Sequence, residues 1–199
     1  MNIAILTPTY SYFSGPDRVV ERQAKDLRAK GHQVTIFTLA ADMPAPEGDG
    51  IRLVILKGMP KRAFWQRVYR LLFFLDVLTV WRASGQLRSY DNIISHMYPM
   101  TILATLAKRR FGSHYQYYNM GIAYPRLFRN VVERAYMHLF LLFTKWTVRG
   151  ANSAVSISNF LNAELERETG VSGDVELCTI RSAFNKNVSG AAIAKKHHT

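Results

Sequence analysis

The first 39 residues leave the fold little freedom. Ile3 to Leu6 is an apolar run of strand length, and Thr7 to Ser14 (TPTYSYFS) is a loop of turn formers and aromatics. Gly15 and Pro16 then open a helical pattern. Proline suits a first helical turn, where its missing N–H would have no partner, and Asp17 adds an acidic group beside the positive helix end. Val19, Val20, Gln23, Ala24 and Leu27 line one helical face as far as Lys30. Gly31 ends the helix, and Val34 to Leu39 (VTIFTL) is a second strand. Strand, loop, helix, strand is a βαβ unit, so the chain is expected to build a parallel sheet flanked by helices.

The remainder continues that alternation. Asp42 to Gly50 is a turn-rich loop and Ile51 to Leu56 a third strand. Lys61 to Trp81 reads as one long helix, basic at its start and apolar later. Strands are predicted at Asn92–Ser95, Tyr115–Tyr118, Ala154–Ile157 and Val175–Thr179, and helices at Met100–Phe111 and Val131–Val148. Ser158 is placed to cap a last helix, Asn159 to Thr169, by accepting from its free N–H groups. The expected architecture is one Rossmann-like α/β domain over residues 1–180, followed by a linker or tail over 181–199. With 48% hydrophobic residues in 199, there is ample material for one core.

Cys178 is the single cysteine, which excludes an internal disulfide and fits a reducing compartment. The opening MNIAILTPTY lacks the basic and apolar regions of a secretory signal. No stretch reaches the roughly 18–20 uninterrupted apolar residues of a spanning helix. Leu71 to Trp81 comes nearest, and it holds Asp76. The expected location is the cytoplasm, with peripheral attachment to the inner face of the membrane.

The formal net charge is +12, and two segments hold it: residues 59–88 carry +5 and residues 108–149 carry +7. Such an excess implies an anionic partner. Nucleic acid is disfavoured, because no helix-turn-helix, zinc or RNA-binding signature is present. The six histidines show no metal-ligand spacing, so neither a metal nor a cofactor is expected.

Three groups of residues are candidates for chemistry. In Ser14-Gly15-Pro16-Asp17-Arg18, a glycine at a helix N-terminus lets backbone approach a ligand closely and offers N–H groups to a phosphate or sugar hydroxyl. The fingerprint G-x-G-x-x-G and the P-loop are both absent, so a plain strand-to-helix turn is the competing reading. His96 follows a strand end, where α/β sheets bind ligands, although a structural role suits it equally. Two basic, aromatic-rich helices supply Lys61, Arg62, Trp65, Arg67 and Arg70, and Arg134, Lys145 and Trp146. Such helices can lie in a lipid interface. The alternative is an apolar stripe facing the core with solvated charged ends.

The stretch from Ser14 to Thr38 (SGPDRVVERQAKDLRAKGHQVTIFT) resembles the opening of the GT-B glycosyltransferases of the large retaining family 4. There a Gly-Gly-x-Glu-Arg loop leads a helix ending in Arg-Gly-His-x-Val. The resemblance resumes at Ile94-Ser95-His96 and at Ala151 to Leu165 (ANSAVSISNFLNAEL). It implies an N-terminal, acceptor-side domain of a two-domain enzyme that retains anomeric configuration and usually needs no bound metal. Ser14, Gly15, Pro16 and Arg18 would lie near the donor phosphates or transferred sugar. His96, Tyr118 and Asn119 would contact the acceptor, and the basic helices would hold a membrane or lipid-linked acceptor.

The chain departs from the family pattern at Ser14 for Gly, Asp17 for Glu, Asn152 for Asp, and Asn119 where many members carry His. Asparagine can hydrogen-bond a sugar but cannot act as a base. Ser182-Ala183-Phe184-Asn185 stands where Asn-Gly-Val-Asp is frequent. Glu176 is the last carboxylate, so the family's paired donor-site glutamates find no counterpart. The nucleotide-sugar would therefore be held by a further domain or partner chain. The alternative is a non-catalytic, membrane-associated subunit of a split glycosyltransferase.

Overall fold

A computed structural model describes residues 1–11, 14–45, 50–56, 60 and 62–177, excepting the side chain of Ala63. In chain order the elements are β1 (Asn2–Leu6), β2 (Thr9–Tyr10), α1 (Gly15–Ala29), β3 (Gln33–Thr38), β4 (Ala40–Ala41) and β5 (Ile51–Ile55). Then follow α2 (Ala63–Leu72), α3 (Val77–Gln86), β6 (Asn92–Ser95), α4 (Met100–Phe111) and β7 (His114–Asn119). The chain continues through α5 (Val131–Val148), β8 (Ser153–Ser156), α6 (Asn159–Thr169) and β9 (Asp174–Val175). Seven strands form one parallel sheet in the order β5-β3-β1-β6-β7-β8-β9, and β2 pairs with β4 in a small ribbon.

The sheet is Rossmann-like, as the βαβ opening implies. Strand β1 is apolar throughout its interior because both of its faces are covered. Ala4 and Leu6 enter a core shared with α3, α4, α5 and α6, whereas Ile3 and Ile5 face α1. Tyr115 and Tyr117 make the same choice in β7, and Tyr118 turns to the α1 side with Ile94 and Val155. That alternation lets a strand rich in tyrosine lie fully inside.

Local chemistry explains the helix ends. Ser14 Oγ accepts from the Asp17 N–H at 3.4 Å, so Ser14 caps α1. Gly31, at φ 84°, takes the left-handed turn after Lys30 that brings β3 back alongside β1. Ser158 caps α6 as expected, accepting from Leu161 N–H at 3.2 Å. The single helix expected over Lys61–Trp81 is a correction: α2 ends at Leu72, a 3-10 turn covers Phe73–Leu75, and α3 begins after Asp76. Asp76 Oδ1 accepts from Thr79 N–H at 3.3 Å, a helix start rather than a helix interior. Phe73, fully buried, anchors the break. The tail over 181–199, Cys178 and the end of the expected last strand lie outside the described residues. Among the described residues no helix is long and apolar enough to cross a membrane.

Gly173 lies between α6 and β8, its N–H donating to Asn162 Oδ1 at 3.1 Å. A Cβ there would stand 2.0 Å from the Ala154 carbonyl oxygen, whereas one on Gly15 would meet nothing within 4 Å. Gly173→Ala is expected to cost about 1–3 kcal/mol in urea unfolding. Gly15→Ala is expected to stay within about 0.5 kcal/mol of the parent. Equal losses at the two sites would contradict this account of the packing.

Candidate functional site

The chain leaves β1 towards β3 and β5, then returns to β6 on the opposite edge of β1. Adjacent strands whose connections run in opposite directions open a crevice at their carboxyl ends. The loop after β1, the start of α1 and His96 after β6 converge at that crevice. The Ser11 N–H donates to Asp17 at 2.8 Å, and the Thr9 hydroxyl lies 3.5 Å from the same carboxylate. Asp17 is thus a buried tie between the loop and α1 rather than a solvated charge at the helix end. Burial raises its pKa, opposed by the hydrogen bond from Ser11. Beside it Gly15 is exposed and presents open backbone, Pro16 is half-buried, and Arg18 is exposed in a 3.2 Å ion pair with Glu21.

His96 and Tyr118 are brought together, with ring centroids 5.2 Å apart, but both are enclosed. The His96 Nε2–H donates to Gln23 Oε1 of α1 at 2.9 Å, and Nδ1 is buried without a partner. Burial pushes the His96 pKa down from 6.5 to about 3, so the imidazole is neutral. Asn119 is also buried; its amide donates to the Leu161 carbonyl at 3.0 Å and approaches Ser156 Oγ at 3.2 Å. Its carbonyl accepts from the Gly121 N–H at 3.1 Å. All three side chains are thus packed inside the domain at the ends of β6 and β7, and the expected direct contact with an acceptor does not fit their burial. Gln23 is placed on the inner face of α1 by the sequence, but a glutamine there carries no motif that marks it as the partner of His96.

The basic helices divide into two environments. Arg62, Trp65, Arg67, Arg134 and Trp146 are exposed, while Lys145 is half-buried against Glu168 at 3.0 Å. Arg134 donates to the Phe128 carbonyl at 3.1 Å. Lys61 lies outside the described residues. Arg70 departs from the expected outer face: it is largely enclosed between α2 and α5, where burial lowers its pKa. Two further arginines join the outer surface from α4. Arg110 stacks on Trp81, 3.5 Å from the ring centroid, and Arg109 lies 5.9 Å from that of Trp146. Their signal was the run Lys108-Arg109-Arg110 at a helix end, visible in the charge tally but unconnected to the tryptophans until the helices pack.

His96 makes stability depend on pH. Its folded pKa lies below the unfolded value, so its contribution is complete above pH 6.5 and is lost as pH falls towards 3. The loss should reach about 2 kcal/mol between pH 7 and pH 5. Asp17 acts in the opposite sense, in a lower window above its ordinary 3.8. Urea midpoints of the parent and of His96→Gln at the two pH values check this. The substituted chain should lack most of the decline.

The chain matches the glycosyl transferase 4-like domain over residues 14–178. Among curated proteins none matches in sequence. Among solved structures, sucrose-phosphate synthase from Thermosynechococcus elongatus superposes with a TM-score of 0.71 at 16% identity, covering 98% of this chain and 52% of that one. HepE of Anabaena in complex with UDP-glucose gives 0.67 at 15% identity, with 98% and 48% covered. WaaG, a glycosyltransferase involved in lipopolysaccharide biosynthesis, gives 0.62 at 12% identity, with 98% and 50% covered. The chain thus spans about half the length of the structures it matches. With its parallel sheet, its capped loop after β1 and this match over most of its length, the chain belongs to the glycosyl transferase 4-like family.

Proposed function

We propose that this domain forms the acceptor-side wall of a glycosyltransferase cleft and presents that wall at an anionic membrane surface. Sugar transfer follows from the family. A nucleotide-sugar would be held by a second domain or a partner chain across the crevice, opposite Ser14, Gly15, Pro16 and Arg18. HepE in complex with UDP-glucose supports that class of donor. His96, Tyr118 and Asn119 would set the shape of the acceptor side rather than exchange protons with it. His96 is neutral at physiological pH and Asn119 has no basic group.

One observation carries the membrane reading. Seventeen large apolar side chains stand exposed among the described residues; seven lie in residues 63–86 and five in α5. Trp81 and Trp146 are each more than half exposed, and Arg110 and Arg109 lie against their rings. Tryptophan beside arginine on one helical layer suits the boundary between headgroups and acyl chains, where each basic group contributes roughly 1 kcal/mol on an anionic leaflet.

Co-sedimentation with phosphatidylglycerol vesicles tests this surface. The chain should bind at low salt and be released at high salt. Arg109→Gln should lower partitioning roughly fivefold, the equivalent of about 1 kcal/mol. No binding at low salt would remove the membrane from the proposal.

Transfer is tested by purifying the chain with the polypeptide encoded beside it. Nucleoside diphosphate release is then followed from a panel of nucleotide-sugars with membrane lipid present. Gly15→Ala, which the fold accommodates, should lower kcat/KM roughly tenfold to a hundredfold by obstructing close approach to the loop. Lipid binding with no turnover for any donor would assign the chain to the non-catalytic subunit reading instead.

A further inference from the structure

Between α2 and α5 lies a cavity of about 280 Å³. Arg67, Arg70 and Glu133 line it together with Phe128, Tyr136, Met137 and Phe140. Arg67 also pairs with Glu133 of α5 at 3.5 Å, with both side chains substantially exposed. An exposed pair of that length contributes little and exchanges readily for a better partner.

Arg70 is the unusual group. Its Nε is buried with no hydrogen-bond partner, and one Nη donates only to the Met97 thioether, at 3.7 Å. Sulfur is a weak acceptor. Among the described residues no carboxylate pairs with this guanidinium, although Tyr136 and, less strongly, Asp17 act on it through space. An enclosed charge without an anion is costly, and guanidinium is built to take a phosphate or carboxylate through parallel N–H bonds. Met97 directly follows His96 and Asp17 sits at the start of α1, which puts Arg70 at the carboxyl edge of the sheet, beside the crevice.

We infer that the Arg70–Arg67 cavity binds a phosphoryl group of the acceptor. Two arginines against one carboxylate leave the cavity net positive, which favours a doubly charged anion over a carboxylate. The aromatic and methionine walls suit the apolar or sugar moiety attached to it. The inference rests on the acceptor-side reading and supplies what that reading lacks, the chemical class of the acceptor. The phosphoryl group comes from a soluble phosphorylated sugar or from a lipid phosphate.

The test measures binding and so is independent of turnover. Inorganic phosphate is titrated into the full 199-residue chain and followed by phosphorus NMR. In parallel, retention is compared on phosphatidylcholine vesicles carrying either phosphatidic acid or phosphatidylserine at matched charge. Arg70→Met should weaken phosphate or phosphatidic acid binding roughly tenfold or more. It should leave the urea midpoint unchanged or higher, because an uncompensated charge has been removed. Glu133→Gln should bind as the parent or more tightly, since it frees Arg67.

Arg70-dependent binding of free phosphate assigns a soluble acceptor, and Arg70-dependent preference for phosphatidic acid assigns a lipid one. Absence of both overturns the site even if transfer is observed. An Arg70→Met chain that binds as the parent, or that unfolds earlier, overturns it as well. Arg70-dependent binding without transfer for any donor leaves the site standing and removes only the glycosyltransferase reading.

Discussion

Strand β1 is hydrogen-bonded on both edges, to β3 and to β6, and the chain departs from it in opposite directions. Everything placed at the crevice follows from that double pairing. A parallel strand in mid-sheet must be apolar on both faces, and the run Ile3 to Leu6 meets the demand. The polar backbone then emerges only at the carboxyl ends, at Thr7 and at His96, where the His96 N–H still donates to the Leu6 carbonyl at 3.1 Å. The loop after β1 is held down by Asp17, and α1 is held against the sheet by Val20 and Ala24 within the core and Gln23 on His96. Disturbing β1 would displace the loop, the helix and the histidine together.

The fold was legible in the chain because its signals are local and redundant. The βαβ opening, the glycine after the first helix and the Ser158 cap each rest on a few adjacent residues whose backbone chemistry has one outcome. The interruption of the expected helix over Lys61–Trp81 was legible in principle. Asp76 sits three residues before Thr79, the spacing of a cap, but apolar residues on both sides make the segment read as continuous. The side-chain chemistry of the candidate site was less accessible. His96, Tyr118 and Asn119 could be placed at strand ends, but not assigned their burial, because that depends on Gln23, Leu161 and Ser156, distant in sequence. Nor could Arg70 be separated from Arg67. Three residues apart on one helix, they differ only in which side α5 covers.

The charge distribution acquires meaning only when the helices are assembled. The two segments that hold the net charge are separated by strand β6, yet α2, α3, α4 and α5 pack on one face of the sheet. Arginines from α4 consequently meet tryptophans from α3 and α5. A lone exposed tryptophan is unremarkable on a soluble domain. Tryptophans, aliphatic side chains and arginines sharing one helical layer are the ground for the proposed membrane contact.

The position of Arg70 links this outer layer to the crevice. Its helix, α2, presents Phe64 and Trp65 outward while its last turn reaches Met97, next to His96. The Tyr98 hydroxyl donates to the Leu71 carbonyl, pinning that last turn to the segment after β6. One short helix therefore touches both the exposed surface and the edge of the site. On the proposed reading, an acceptor whose apolar part stayed in the lipid would reach the crevice with its polar head along this helix, meeting the exposed Arg67 before the more enclosed Arg70. That order is favourable on physical grounds. On that proposal the anion would shed its water only where a cation replaces it, and Arg70, largely buried, has already lost much of its own.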